Sequence, residues 1–461
     1  MFFSHGQPRG RREILRAGSL GLCGLSLQQM LSAQQPLASR RPAKACIVLF
    51  MWGGPAQQDT WDPKPDAPAD YRGEFQPISS SVPGIQICEH LPLLAKRMDD
   101  LAVIRSMTHD SVDHTHATHY LLTGRDVERR GQPLHKDWPG YGAIMAHENR
   151  GQGPLPRFVS MMPEVPNGSP RFVEESHGQG AGWLGPQFAP LRIDEDGTRD
   201  DYLANFSLKA NLPDQRISAR KELLKGLDEQ LNFFEQYRQG EAVSTQNQRA
   251  FQILADPEVR RAFDLSSEKP ELRQRYGMNR HGQSVLQARR LVEAGVPLVT
   301  VFWPNDGITN VSVYWDTHNR NFIDLKNRLC PVTDMAFSAL LDDLKDRGML
   351  EDTLILWTGE MGRTPRVGQA VEGGAGAGRD GRDHWGGVFT SVLAGGGVKG
   401  GTVYGASDRK AAFPEHSPTP PADLAATIYS LLGIDPAMEI RDRLNRPFTL
   451  CGGRPIRELM T

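Results

Sequence analysis

Cysteine is scarce in this 461-residue chain, and its spacing excludes one common kind of metal site. The five cysteines are far apart, and none has the CxxC or Cys/His spacing of a structural zinc site. Cys23 lies in the leader, and the other four could form disulfides in an oxidising compartment or stay as buried thiols. A domain of this size does not need disulfides, so both alternatives remain open.

The chain also lacks an excess of charge of either sign. It has 53 Lys plus Arg against 55 Asp plus Glu, so no global field would draw it to nucleic acid or to an anionic membrane. We therefore expect no nucleic-acid partner, and we expect no integral membrane span in the mature chain. With 39% hydrophobic residues, the chain can bury one large domain that carries a sizeable insertion.

Residues 1–40 have the parts of a twin-arginine export signal. Arg11 and Arg12 precede an apolar, glycine-rich run at 17–27, which has the length of a signal h-region and is too short to span a bilayer. The alternative is a chance basic amphipathic terminus. The leader predicts export by the twin-arginine route to the periplasm or beyond, with residues 41–461 forming the mature domain.

Buried strands alternate with helices along the mature chain. Five apolar runs have strand length, at residues 45–52, 101–104, 296–303, 353–358 and 388–394. Helical periodicity precedes the third and fourth of these runs and follows the fifth. Continuous apolar strands with helices between them are typical of a parallel, doubly wound sheet. The sequence therefore predicts an α/β fold with a mostly parallel sheet flanked by helices.

Residues 150–280 differ in composition from the rest of the chain. A Pro- and Gly-rich stretch reaches about Pro190, and a charged segment follows in which leucines and Phe234 recur at amphipathic spacing. We interpret this region as an inserted, partly helical cap over the sheet.

Histidine is concentrated in one short segment after the second predicted strand. Four imidazoles and two carboxylates lie within eleven residues, and the imidazoles belong to His109, His114, His116 and His119. Neutral histidine is a frequent metal ligand and base, so this density favours a metal or catalytic site. The alternative is the solvated polar start of a helix.

Other polar residues follow predicted strands or helices. Asp59 comes after the first strand and Glu360 after the fourth, while His318 and His384 lie in short polar clusters. Because parallel sheets bind ligands at the carboxyl ends of their strands, one pocket is expected to bring together Asp59, His116, His318, Glu360 and His384. The alternative for Asp59 is a helix cap or a turn.

Three further residues are candidates for catalytic roles. Arg363 follows Glu360 by three positions and could hold an anionic oxygen. Thr60 and Thr118 are the only hydroxyls near the clusters that we consider as nucleophiles. The glycines at 373–378 are interpreted as a mobile linker and not as a phosphate cradle.

Six stretches, at residues 52–64, 287–295, 315–318, 359–365, 381–385 and 394–401, carry a resemblance that covers nearly the whole mature chain. At these stretches the sequence resembles the domain-of-unknown-function family 1501, which is placed in the alkaline-phosphatase-like superfamily. The resemblance implies an alkaline-phosphatase-like fold. It also agrees with the leader, because members of this family often carry the same kind of export signal.

The resemblance to sulfatases breaks at the positions that carry catalysis. The stretch 121–125 looks like the end of the sulfatase signature, but His114 stands where the formylglycine nucleophile would be. Gly53 and Gly54 stand in place of paired aspartates, and Glu360 in place of an Asp-Asn pair. The resemblance then implies either a site that no longer hydrolyses esters or a rearranged metal set drawn from Asp59, His114, His116, His318, Glu360 and His384.

Two functions follow from these residues. In the first, a divalent metal, with Zn²⁺ favoured by the His and carboxylate ligands, activates water or a hydroxyl. The substrate would be a small-molecule or glycan ester of sulfate or phosphate, held by Arg363. In the second, the chain is a catalytically degenerate binding or scaffolding protein. The histidine-dense segment favours the enzyme.

Overall fold

A mixed sheet lies at the centre of the computed structural model, which describes residues 41–126, 133–151, 155–162, 177–193, 257–305 and 313–461. Numbered along the chain, its eight strands are β1 (Ala45–Phe50), β2 (Leu101–Met107), β3 (Val159–Met161), β4 (Leu191–Ile193), β5 (Leu298–Phe302), β6 (Thr353–Thr358), β7 (Phe389–Ala394) and β8 (Thr402–Tyr404). Their order in the sheet is β8-β2-β7-β6-β1-β5-β3-β4. Only β7 runs antiparallel to its neighbours in this sheet. The predicted α/β fold with a mostly parallel sheet is confirmed.

Helices flank this sheet, and segments between the main elements form short two-stranded ribbons. The longer helices of the described residues are α1 (His114–Thr123), α2 (Tyr141–His147), α3 (Pro257–Phe263), α4 (Pro270–Tyr276), α5 (Arg280–Glu293), α6 (Cys330–Asp346) and α7 (Pro421–Leu431). Single turns of helix lie at Ala69–Arg72, Pro92–Ala95 and Asn321–Asp324. Two-stranded ribbons pair Pro77–Ser79 with Gln86–Cys88, Gly362–Arg363 with His384–Trp385, Ala406–Ser407 with Pro414–His416, and Glu439–Arg441 with Pro447–Thr449.

The core forms around β1, the strand between β5 and β6. Every residue of β1, β5 and β6 is buried, as expected for strands covered on both faces. The rings of Phe50 in β1 and Phe302 in β5 pack against each other, with their centroids 5.3 Å apart. The central strands therefore form a rigid base for the loops that leave them.

Two short strands of the central sheet lie within residues 150–280. β3 pairs with β5, and β4 pairs with β3, so both lie at one edge of the sheet. Each has only three residues, which is too short to show a period in the sequence. The interpretation of residues 150–280 as an insertion or cap stays a prediction. The amphipathic segment around Phe234 lies outside the described residues, as does the leader.

The four described cysteines are buried thiols and form no disulfide with one another. Burial raises the pKa of Cys46 and of Cys88 to about 12, so both are uncharged at neutral pH. In the part of the chain that the structure describes, no helix combines the length and apolarity needed to cross a bilayer.

Candidate metal centre

Loops from several strands meet at one edge of the sheet. Because β1, β5 and β6 are parallel neighbours, the segments that follow Phe50, Phe302 and Thr358 leave at the same edge. β7 runs in the opposite direction, so the ribbon residue His384, just before it, lies at that edge too. Strand direction thus brings together residues that are far apart in the sequence.

Asp316 lies where three of these loops meet, and three histidines approach it through the same ring atom. Its Oδ1 is 2.8 Å from Nε2 of His318, 3.3 Å from Nε2 of His384 and 3.5 Å from Nε2 of His114. The Nε2 atoms of His318 and His384 are 3.0 Å apart. All four side chains are buried, so their donor atoms form one cluster shielded from solvent.

The other ring nitrogen of His318 and of His384 has a carbonyl partner. Nδ1 of His384 is 2.8 Å from the carbonyl oxygen of Val112, and Nδ1 of His318 bonds to that of Gly376. A carbonyl oxygen only accepts, so Nδ1 carries the proton in both rings, and in the neutral rings Nε2 presents a lone pair. Burial and the charge of His114 lower the pKa of His384, which keeps this ring in its ligand form.

Glu360 orients His114 through a contact with its ring atom Nδ1. Its Oε1 accepts the N–H of Gly53 at 2.8 Å and lies 2.6 Å from Nδ1 of His114. This contact is of the kind that holds metal-ligating histidines in place. Burial lowers the pKa of His114, but Asp316 and Glu360 outweigh it and raise the pKa to about 9. The His114 ring therefore carries a proton at neutral pH, and its single positive charge lies between the two carboxylates.

One buried oxygen beside this cluster has no partner. Oε2 of Glu360 accepts no hydrogen bond in the described structure, although the residue is fully buried. Buried carboxylate oxygens are rarely left in this state, so this atom is available to a bound group.

The spacing of the donor atoms fits a zinc ion. Tetrahedral zinc with bonds of roughly 2.0 to 2.2 Å places its ligand atoms about 3.3 Å apart. Four spacings among these atoms, 2.8, 3.0, 3.3 and 3.5 Å, lie around that value. Three imidazole nitrogens and one carboxylate oxygen are also ligands that zinc accepts. Ligand atoms of His114, Asp316 and His384 all lie within 4.8 Å of one another. Nε2 of His318 lies next to two of these residues, Asp316 and His384, so the four side chains together would hold one ion.

A second grouping is less suited to a metal. Potential ligand atoms of His318, Asp383 and His384 also lie within 4.8 Å of one another. However, the Asp383 oxygens accept the N–H groups of Val371, Gly376 and His384. The Nδ1 atom that His318 turns towards Asp383 is protonated, as described above. We therefore assign Asp383 an orienting role.

Arg363 anchors Asp316, a contact that the sequence did not predict. Its Nη2 bonds to Oδ1 of Asp316 and to the carbonyl of Gly53, and its Nε donates to the carbonyl of Gly54 at 3.0 Å. Burial raises the pKa of Asp316, but Arg363 and His114 overcome this and hold the pKa well below its usual range. The guanidinium is fully buried and is committed to protein acceptors, not directed at a substrate anion.

The two glycines after β1 make this arrangement possible. A Cβ on Gly53 would lie 2.3 Å from the backbone nitrogen of Asp316, and one on Gly54 would lie 2.5 Å from the carbonyl oxygen of Met361. Both have positive φ, +99° and +80°. The backbone of these glycines holds Glu360 through the N–H of Gly53, and Arg363 through the carbonyls of both residues.

Asp59 lies outside the cluster and pairs with a different arginine. Its Oδ2 accepts from Nε of Arg382 at 2.7 Å and from Nδ2 of Asn321 at 2.8 Å, while its Oδ1 accepts from Nη2 of Arg382 at 3.2 Å. Both charged side chains are fully buried. Asp59 therefore supports the loop after β1.

The remaining candidates, His116, Thr60 and Thr118, have no described contact with the cluster. His116 is half-buried, and its one described hydrogen bond runs from its backbone N–H to Asp113. Thr60 donates to the carbonyl of Ala56 at 2.8 Å. Thr118 is buried in α1, where its hydroxyl has no described partner. Of the six predicted metal ligands, the structure brings together His114, His318, Glu360 and His384.

Fold and site together define an α/β protein with a buried histidine and carboxylate centre at the carboxyl edge of its sheet. The chain belongs to the family described as "Protein of unknown function (DUF1501)", whose model matches residues 43–460. The resemblance noted in the sequence is thereby confirmed. No curated protein matches the chain.

Three solved structures are similar over most of this chain. The PsFucS1 sulfatase from Pseudoalteromonas sp. is 14% identical with a TM-score of 0.35, covering 93% of this chain and 72% of that chain. The phosphonate monoester hydrolase SpPMH from Silicibacter pomeroyi is 12% identical with a TM-score of 0.38, covering 91% and 77%. A protein in the alkaline phosphatase superfamily from Vibrio parahaemolyticus is 11% identical with a TM-score of 0.39, covering 92% and 72%. These similarities assign no residue role and no substrate to this chain.

Proposed function

We propose that this protein is a hydrolase of sulfate or phosphate esters that depends on one divalent metal ion, with Zn²⁺ favoured. The observation that carries the proposal is the approach of three histidine Nε2 atoms to Oδ1 of Asp316, at 2.8, 3.3 and 3.5 Å. Three buried imidazoles that converge on one carboxylate oxygen are ligands that zinc accepts, and perturbed pKa values at such a cluster are typical of functional sites. A small-molecule or glycan ester is the proposed substrate.

The residues divide into ligands and supports. Asp316, His114, His318 and His384 would hold the metal, which when bound supplies Lewis acidity to the reaction. Glu360 keeps the His114 ring turned so that Nε2 faces Asp316. These contacts fix the donor atoms before substrate arrives, which lowers the cost of reorganisation.

Neither threonine is placed to act as a nucleophile. The Thr60 hydroxyl is engaged with its own turn, and the Thr118 hydroxyl has no described contact with the cluster. We therefore infer that water attacks the ester. Because Arg363 is saturated by protein acceptors, it is not proposed to bind the substrate.

The proposed activity is tested by removing and restoring the metal. Zinc-loaded protein should hydrolyse 4-nitrophenyl sulfate or 4-nitrophenyl phosphate, lose this activity on treatment with a chelator, and regain it when zinc is added. His384→Ala should lose more than the roughly 10- to 100-fold expected of an outer ligand contact. His116→Ala, a control at a half-buried position on α1 outside the cluster, should retain the wild-type rate. Activity that survives complete chelation would contradict metal dependence.

A binding or scaffolding role is the second candidate. It is favoured by the commitment of the Arg363 guanidinium to protein acceptors, because no substrate anion is then paired with this arginine. Tight zinc binding with no hydrolysis of either ester class would favour this role over the enzyme.

We also propose that the protein is exported by the twin-arginine route to the periplasm or beyond, on the basis of Arg11 and Arg12 before an apolar run. Replacing both arginines with lysine should keep the chain in the cytoplasm, because the pair is the recognised signal. Fractionation of cells that express either form measures this, with a single Arg41→Lys change as control. Export of the double variant at the wild-type level would contradict the route.

A further inference from the structure

The glycine-rich loop 371–378 contacts the candidate metal centre through its backbone. The N–H groups of its first residue and of Gly376 donate to Oδ2 of Asp383, at 2.9 and 3.1 Å. The carbonyl of Gly376 accepts from Nδ1 of His318. The N–H of the last loop residue donates to the carbonyl of His318 at 2.8 Å. The loop is therefore bonded to a proposed ligand and to Asp383, and is not a free linker.

Glycine is required in this loop because of the close approach of Asp383. A Cβ on Gly374 would lie 2.5 Å from both carboxylate oxygens of Asp383. Gly376 has a φ of +87°, a region that favours glycine. The glycines thus let the loop backbone approach the Asp383 carboxylate closely enough to donate hydrogen bonds to it.

Asp383 joins this loop to both neighbouring histidines. Its Oδ1 accepts the backbone N–H of His384 at 2.9 Å and lies 3.5 Å from the ring atom Nδ1 of His318. Its Oδ2 accepts from the loop. The same fully buried side chain therefore links the loop backbone to two of the four proposed ligands.

We propose that loop 371–378 is a positioning element of the metal centre, which holds His318 directly and His384 through Asp383 in the orientation that binds metal. This inference rests on the metal site of the proposed function. It means that the loop conformation and the metal affinity are coupled. A change that moves the loop or Asp383 weakens metal binding although it removes no ligand.

Zinc affinity of Gly374→Ala, measured by competition with a chromophoric chelator, tests the coupling. The added methyl pushes on Asp383, so we expect binding weaker by about 10- to 100-fold, the effect typical of groups that orient metal ligands. Gly180→Ala is the matched control, because Gly180 has an ordinary φ and open space where its Cβ would be. It should bind zinc like the wild type. The visible spectrum of the cobalt(II)-substituted protein should change in Gly374→Ala alone.

A double-mutant cycle shows whether the effect passes through Asp383. In an Asp383→Ala background the clash is removed, so adding Gly374→Ala should cause no further loss of affinity. Wild-type affinity in Gly374→Ala, or an equal loss in both backgrounds, would overturn the positioning role and leave the metal site standing. A wild-type protein that binds no zinc would overturn the proposed function together with this inference.

Discussion

Replacement of Asp316 with asparagine is expected to remove zinc from this protein almost completely. Oδ1 of Asp316 is the atom that His114, His318 and His384 all approach, and an amide lacks the charge that binds the cation. We expect affinity to fall by more than about 100-fold, beyond the range of an orienting contact. Chelator competition and elemental analysis of the dialysed variant measure the loss.

Asparagine keeps the shape of the side chain, and Arg363 retains the carbonyls of Gly53 and Gly54. Because the buried guanidinium of Arg363 loses its counter-charge, zinc affinity is measured on the folded fraction, as checked by circular dichroism. Asp324→Asn is the matched control. Asp324 is also buried and pairs with arginines, with oxygens 3.4 Å from Nε of Arg320 and from Nη2 of Arg328, but it lies outside the cluster. This control should keep its zinc. Wild-type affinity in Asp316→Asn would show that the ligand set is wrong.

Replacement of Asp59 with alanine is expected to damage the fold and not the metal site. The change leaves the fully buried guanidinium of Arg382 without its counter-charge. Breaking a buried pair in this way costs about 3 to 5 kcal/mol. Chemical denaturation should therefore show a free energy of unfolding lower by this amount. The folded fraction should bind zinc with wild-type affinity.

Asp352→Ala provides the comparison for Asp59. Asp352 pairs with Lys44 at 2.5 Å, but both side chains are exposed, at 40% and 68%. An exposed pair contributes about 0 to 1 kcal/mol, so this variant should unfold almost like the wild type. A metal-free Asp59→Ala protein of normal stability would mean that Asp59 is a ligand after all.

The fold could be predicted from the sequence wherever a strand was long and buried. β1, β5 and β6 are continuous apolar runs because both faces of the sheet are covered, and a run of this length is visible in the sequence alone. β3 and β4 have three residues each. β3 joins the sheet by pairing with β5, and β4 by pairing with β3, and both pairings depend on tertiary structure. Local pattern could not show this.

The site could be predicted only in part, for a related reason. The rule that ligands gather at the carboxyl ends of parallel strands predicted one pocket for His318 and His384, and both rings lie beside Asp316. The rule could not show which carboxylates would pair with arginines instead of facing the site. Asp59 is such a case, because it pairs with Arg382. Asp316 lies two residues before His318, yet spacing alone does not reveal that its side chain turns towards the three imidazoles.

The glycine-rich loop shows a further limit of sequence analysis. Glycine-rich composition is usual in flexible linkers, and also in backbone that must pass close to another group. The contact between Gly374 and Asp383 decides between them, and it is visible only in three dimensions.

The central claim is that His114, Asp316, His318 and His384 form one metal site. Elemental analysis of the purified mature protein, before and after incubation with zinc, tests it most directly. The account predicts one zinc ion per chain, retained through dialysis and lost in Asp316→Asn. A wild-type protein that retains no divalent metal, even after incubation with zinc, would contradict it.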